Sequence, residues 1–331
     1  MSHIIFELIN GTSKIDTNTI NGKKKMEKLL TKSILVTGAT GFIGSRLVNS
    51  LIDKGYNVTS LIRKGKKGNL KSNIIYGDIT DERIDFKDLE FDCVFHLASH
   101  TPLEKNKKIL EKVNLEGTKK LFKEIKSITK SIIYISGLGV YGETGETVID
   151  ESQKYNPNTN FVKIRLDAEK YLKENSLEHK IDFAVAHFGD VYGEEGWFYE
   201  MLIKRLKKNT FRMPKGGEYH KCFVHVDDAV GSMIAILEKE SFGESFIIAD
   251  SMPVSFKEFS NFAADQISAK HPGSVPVFLA KAVLGSDLIK LLTTPIKVYN
   301  KKILKIYDFK YPNYKDGIKQ VTSELKSKNM I

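Results

Sequence analysis

Three glycines, Gly38, Gly41 and Gly44, stand at the spacing G-x-x-G-x-x-G in the stretch Thr37-Gly38-Ala39-Thr40-Gly41-Phe42-Ile43-Gly44. A lone glycine triplet is a weak signal; its surroundings decide what it means. Here it leaves a short apolar strand, Ser33–Thr37, and opens a helix with Ile43, Leu47, Val48, Leu51 and Ile52 on one stripe. In that setting Gly38 allows a tight turn, Gly41 lets a pyrophosphate approach the backbone, and Gly44 lets helix and strand pack closely. The helix N-terminus then faces the negative charge. The loop, with Thr40, Phe42 and Ile43 between its glycines, is thus a site for a nicotinamide dinucleotide, on a Rossmann-type α/β domain that begins near Ser33.

The end of the second strand reports on the adenosine ribose. A carboxylate there would hydrogen-bond the 2′-hydroxyl and favour NAD. This chain has Leu61-Ile62-Arg63-Lys64 instead, with Lys66 and Lys67 just beyond. A guanidinium holds a 2′-phosphate through paired charge-assisted bonds, so Arg63 predicts NADP(H) in preference to NAD(H). After the third strand come Asp78 and Ile79; Asp78 is either an acceptor for the adenine amino group or a turn residue.

These loops need elements to carry them. Gly55 is placed to end the first helix. Strands are expected at Asn57–Ile62, Asn73–Tyr76, Cys93–Leu97, Ser131–Ile135 and Asp182–His187. A long helix is expected from about 104 to 127, and a shorter one at Arg165–Glu174. Short apolar strands alternating with helices predict a doubly wound parallel sheet covered on both faces. Later, Phe223–Val226 reads as a strand, Asp227 caps a helix running to about Glu238, and Phe246–Ala249 reads as the last strand of the main sheet. Ser255 with Glu258 makes a capping box. The expected organisation is an extension at 1–30, a dinucleotide-binding domain at 31–187 plus about 223–250, and a smaller C-terminal substrate-binding lobe at about 188–222 plus 251–331. The first 25 residues read as a flexible extension, or Met26 as the natural start; the sequence leaves both open.

At 331 residues, 41% apolar and 28% charged, the chain is long enough for such a pair of units and ordinary in composition. No run of about 18 apolar residues exists, so no spanning helix and no membrane partner is expected. The apolar start, Ile4 to Ile9, is split by Glu7 and lacks a basic lead and a cleavage site, so it does not read as a secretory signal. Cys93 and Cys222 make no disulfide framework or metal spacing and suit a reducing cytoplasm. The net charge of +10 comes from scattered lysines, which read as a solvated surface. Nucleic acid has no motif behind it, and RNA binding is the weakest of the readings kept open.

Beyond the glycine loop, the chain resembles the extended short-chain dehydrogenase/reductase family, the NAD(P)-dependent epimerase/dehydratase type. Val94-Phe95-His96-Leu97-Ala98-Ser99 is similar to its fourth strand, lining the cofactor. Val113-Asn114-Leu115-Glu116-Gly117-Thr118 is similar to its central helix motif. Gly189-Asp190-Val191-Tyr192-Gly193 and Phe223-Val224-His225-Val226-Asp227-Asp228 match later signatures. The resemblance implies cofactor contacts from Leu97, Ala98, Ser99, Asn114, Ser136 and Arg165. It also implies a homodimer built on the helices around 104–127 and 161–175, and a small-molecule substrate such as a sugar nucleotide.

The family's catalytic positions are altered. It uses a serine or threonine after the fifth strand, and a tyrosine and lysine spaced Tyr-x-x-x-Lys on the next helix. Here Gly137 takes the hydroxyl position in Ile135-Ser136-Gly137-Leu138-Gly139-Val140-Tyr141-Gly142, Phe161 replaces the tyrosine and Arg165 the lysine. Phenylalanine has no proton to give, and a positioned acid or base is typically worth about 10²–10⁴ in rate. Arginine keeps a positive charge for the ribose but serves poorly in a proton relay. Tyr141 is the first replacement to consider, with Ser136, His100, Lys163, His187 and Tyr192 behind it. Asp227 and Asp228 read as helix caps rather than a carboxylate pair. Lys204, Arg205, Lys207, Lys208 and Arg212 either meet a nucleotide diphosphate or form a solvated face. Two function classes follow: an NADP(H)-preferring oxidoreductase or epimerase-like enzyme with a non-standard acid/base, and a non-catalytic dinucleotide-binding redox sensor or scaffold.

Overall fold

In the computed structural model, residues 32–66 and 71–331 are described; the expectations for residues 1–30 and for Lys67 lie outside them. Strands β1 (Ser33–Thr37), β2 (Asn57–Ile62), β3 (Asn73–Tyr76), β4 (Cys93–His96), β5 (Ser131–Gly137) and β6 (Asp182–Phe188) make the core of the main sheet. Outside it, β7 (Asp190–Tyr192) pairs with β8 (Phe223–His225), and β9 (Ser245–Ile248) closes the main sheet at one edge. The seven-stranded order is β9-β6-β5-β4-β1-β2-β3, every pairing parallel. The chain proceeds outward in one direction from β1 and in the other from β4. That reversal opens a crevice at the carboxyl ends of β1 and β4.

Each central strand is apolar on both sides, as a parallel strand under two layers of helix must be. Ile34, Val36, Cys93, Phe95, Ile133 and Ala184 face one layer, formed by helix α1 (Phe42–Asp53) and by α4 (Val226–Glu238). Leu35, Val94, Ile132, Tyr134 and Val185 face the other, formed by α2 and α3. α2 consists of Lys107–Leu110, a π-helical segment Glu111–Gly117 and Thr118–Ile125; α3 is Asn160–Glu178. α2 and α3 lie side by side, the pair on which the expected homodimer would be built.

The lobe has its own core. Tyr192, Phe198, Leu202, Phe223 and Val254 pack with residues of α5 (Phe256–Gln266) and of the C-terminal helix. Between them come α6 (Val277–Leu284) and α7 (Ser286–Thr293), before α8 (Tyr314–Ser327) ends the chain.

The expected strand at Phe223–Val226 forms β8, which pairs with β7 in a two-stranded ribbon, and its Phe223 is buried in the lobe core. Two helix starts need correction. The cap of α4 is His225, whose Nδ1 accepts from the Asp227 amide at 3.2 Å, because an imidazole nitrogen reaches the first turn as a carboxylate would. The expected helix at Arg165 starts five residues earlier, where Thr159 caps it by accepting from the Val162 amide. The capping box of Ser255 and Glu258 is present in full.

Candidate functional site

At the β1–α1 turn the backbone alone dictates the residues. Gly38 has φ +69, and a Cβ there would sit 2.8 Å from Ala98 N and Leu97 C, so the β4 loop closes over it. A Cβ on Gly44 would collide with the Gly38 carbonyl oxygen, so helix and strand approach only because residue 44 is glycine. A Cβ on Gly41 would meet only Gly38 O, at 3.2 Å, which leaves its outward side open. α1 starts at Gly41 with no side-chain cap and no acidic residue in its first turn, so its free N–H groups suit an anion. This cradle fits the pyrophosphate of a dinucleotide.

Around the crevice, polar groups brace the loops. Thr118 donates its hydroxyl to the Asn114 carbonyl at 2.9 Å and thus accepts from His96 Nε2 at 2.9 Å. His96 Nδ1 in turn accepts from Thr37 Oγ1 at 2.8 Å, and Thr37 Oγ1 accepts from Ala98 N at 3.2 Å. Burial, reinforced by the nearby Arg165 cation, pushes the His96 pKa down to about 3, so the imidazole is neutral. Fully buried Asn114 clamps the next residues, accepting from His100 N at 2.7 Å and donating to His100 O at 3.1 Å. Leu97 and Ala98 are half-buried beneath the loop and Ser99 is exposed.

Arg63 and Lys64 stand exposed at the end of β2, with no carboxylate among residues 63–66. Asp78 turns its Oδ1 to the amide and hydroxyl of Thr80, both at 2.8 Å, which is a turn role for that oxygen. Ile79 is buried against Gly117, where a Cβ would meet its side chain at 3.0 Å.

Of the residues expected at the family's catalytic positions, Gly137 ends β5, while Phe161 and Arg165 lie one turn apart on α3. Arg165 is buried, donates through Nη2 to the Ile135 carbonyl and lies 4.7 Å over the Tyr134 ring. Its Nη1 has no partner and is a group that a ribose could engage, whereas the buried Ser136 hydroxyl faces the Glu169 carboxylate and helps to hold it ionised. A Cβ on Gly137 would touch only the Phe188 carbonyl oxygen, at 3.7 Å, so a hydroxymethyl side chain would fit. The Phe161 ring is half-buried against the apolar cluster that contains Val162 and Leu166.

Tyr141 lies elsewhere. The turn Leu138–Tyr141 carries its ring into the core, where its phenol donates to His187 Nδ1 at 3.1 Å, and His187 Nε2 lies 3.1 Å from Glu169. Burial and the neighbouring Tyr155 raise the phenol far above its ordinary range. Burial opposes ionisation of Glu169 too, but the His187 contact holds its carboxyl below the usual value. Tyr192 is likewise buried among aromatic rings, and Lys163 points to solvent. Of the candidate proton donors, only His100 occupies the crevice end of β4.

Two residues that the sequence pattern did not single out, Arg46 and Glu194, help tie the phosphate-loop helix to the lobe. Arg46 of α1 pairs with the buried Glu194 and lies 3.6 Å from Asp227. Phe42 rests against Gly193 and Gly196, where a Cβ would come within 2.9 and 3.0 Å of its ring. Asp228 does not cap its helix: buried, it accepts from Tyr307 OH, Lys310 N and Tyr311 N at 2.7–3.0 Å, and so binds the C-terminal segment to α4. Lys207, Lys208 and Arg212 are exposed, and Arg212 donates to nearby carbonyls.

The sheet order and the glycine cradle define a Rossmann-type α/β protein. The chain belongs to the NAD dependent epimerase/dehydratase family, whose model matches residues 34–249. It is 26% identical over 263 residues to a UDP-glucose 4-epimerase of Mycolicibacterium smegmatis, covering 71% of this chain and 82% of that one. It is 25% identical over 308 residues to a 3-diazoavenalumate denitrifying reductase of a Streptomyces species, covering 86% and 98%. Among solved structures, a human epimerase family protein crystallised with NADPH superimposes with a TM-score of 0.76 at 21% identity, covering 88% of this chain and all of that one.

Proposed function

We propose that this chain is an NADP(H)-preferring oxidoreductase or epimerase-like enzyme. It acts on a hydroxyl or carbonyl of a small molecule such as a sugar nucleotide, in the cleft between sheet and lobe, with a non-standard acid/base. The observation that carries the reading is an intact phosphate cradle followed, at the end of β2, by an exposed guanidinium and no carboxylate. The nicotinamide supplies hydride chemistry when bound. The chain's own part is to seat the pyrophosphate on Gly38–Gly44, the 2′-phosphate on Arg63 and the ribose on Arg165.

The proton is the altered step. Phe161 has none to give, and Tyr141 is sealed in the core against His187. His100, whose backbone Asn114 holds in the loop after β4, carries the side chain we assign to proton transfer. A relative named a UDP-glucose 4-epimerase supports sugar nucleotides as substrates, while another, aligned over 86% of this chain, is named a reductase.

A fluorescence titration of the purified protein with NADPH and with NADH, followed by turnover with a panel of sugar nucleotides and carbonyl compounds, tests this. The expected outcome is NADPH binding at least tenfold tighter than NADH, and turnover that His100→Ala abolishes. No binding of either nucleotide overturns the cofactor assignment. NADPH binding with no hydride transfer to any acceptor favours the second reading, a cofactor-dependent sensor or scaffold, for which the joint change of Gly137, Phe161 and Arg165 speaks.

A further inference from the structure

Helix α6 is built unlike the other helices of the lobe. Seven of its eight residues, Val-Phe-Leu-Ala-Lys-Ala-Val-Leu, are apolar, yet only Ala280 is buried. Phe278 and Val283 are each 70% exposed and Leu279 is 47% exposed. The loop after β4 abuts its C-terminal end: Lys105 Nζ donates to the Val283 carbonyl at 2.8 Å, and the neighbouring Leu103 is 54% exposed. Across Gly285, α7 returns to the body and anchors there, with Asp287 accepting from the Asn160 amide at 2.9 Å and Leu291 in the cluster that holds Phe161. Thus α6 projects from the rim of the candidate site while α7 fixes its base.

An apolar projection of this kind calls for an apolar partner, and its charges say which. Lys105, Lys107, Lys108, Lys281 and Lys290 are all exposed around it. Three carboxylates lie near them, Glu104 and Asp287, which accept from the Asn106 and Asn160 amides, and Glu111, which pairs with Lys107 at 3.3 Å, so the lysines are in excess. A second copy would bring the same lysines face to face, which is repulsive. An anionic lipid surface meets both needs, with headgroups for the lysines and the acyl boundary for Phe278, Leu279 and Val283. We propose that α6, with Leu103 and the surrounding lysines, docks the protein on the surface of an anionic bilayer. This is peripheral attachment: among the described residues no helix is long and apolar enough to cross a membrane. It stands independently of the cofactor assignment.

Co-sedimentation of the full chain with vesicles of phosphatidylcholine alone, and of phosphatidylcholine mixed with phosphatidylglycerol, tests it. The chain is expected to pellet with the mixed vesicles, less as salt rises, and weakly with phosphatidylcholine alone. F278S/V283S is expected to reduce pelleting roughly tenfold or more, through loss of the buried apolar contact. K281E/K290E is expected to remove the preference for the anionic vesicles. All four positions are at the surface, so unchanged melting temperatures should accompany both effects. Pelleting with neither vesicle overturns the proposal. So does pelleting that F278S/V283S leaves unchanged, which would be attraction by net charge alone. A solution dimer that F278S/V283S converts to a monomer would assign the face to a second copy and overturn it as well.

Discussion

Gly44 has no space for even one more carbon, because a methyl group there would be driven into the Gly38 carbonyl. Gly44→Ala should therefore push α1 away from β1, costing about 1–3 kcal/mol by overpacking and weakening dinucleotide binding; urea unfolding and a nucleotide titration would read the two effects. Arg63 makes the opposite kind of prediction, since it is exposed and nothing in the fold depends on it. Arg63→Ala should leave stability unchanged and weaken NADPH by about 10–100-fold, the worth of charge-assisted bonds of roughly 1.5–3 kcal/mol, with NADH unaffected. His96 gives the chain a pH dependence. The unfolded imidazole takes up a proton near its ordinary value of 6.5, whereas the folded one resists until about 3. Its contribution is thus complete above pH 6.5 and declines as pH falls toward 3, at up to about 1.4 kcal/mol per pH unit. Urea denaturation at pH 7 and pH 5 should show the wild type losing about 2 kcal/mol more than His96→Asn between the two.

Elements differ in how openly they announce themselves. β1, β2 and β3 coincide with the expected strands because an apolar run bounded by glycine or polar residues permits little else. α3 starts earlier than its apolar stripe because Thr159 caps a first turn whose residues look indifferent. The helix after β4 was legible in position but not in form. Periodicity does not separate a π-helical turn from an α-helical one, and Glu111–Gly117 is the former. That segment carries Asn114, whose side chain holds both backbone groups of His100. Asn114→Ala should release the loop, costing about 1–3 kcal/mol and, in hydrogen exchange, exposing the His100 amide. The altered positions Gly137, Phe161 and Arg165 were legible only through the family resemblance, which says where its catalytic residues fall. The fate of Tyr141 was not legible, since a single 3₁₀ turn after β5 decides whether its ring faces the crevice or the core. β8 coincides with an expected strand, but its pairing was not legible, because its partner, β7, is three residues long and carries no pattern of its own.

At the scale of the whole molecule, the two units are joined through charge as well as through grease. Arg46 on α1 meets Glu194, whose carboxylate is buried, and faces Asp227 on α4. Arg46→Ala would strand the Glu194 charge and should lower stability by about 1–3 kcal/mol; adding Glu194→Gln should recover part of that loss, as calorimetry of the two variants would show. Asp228 does the same for the C-terminus, gathering Tyr307, Lys310 and Tyr311 onto α4. The ring of Phe42 goes further, for it belongs to the glycine loop yet lies in a socket shaped by Gly193 and Gly196. Transplanting this lobe onto a relative's sheet would therefore fail at a conventional junction after β6. The graft would have to carry the socket and its aromatic plug together, so the molecule is heritable in two pieces only if the cut runs through the nucleotide site itself.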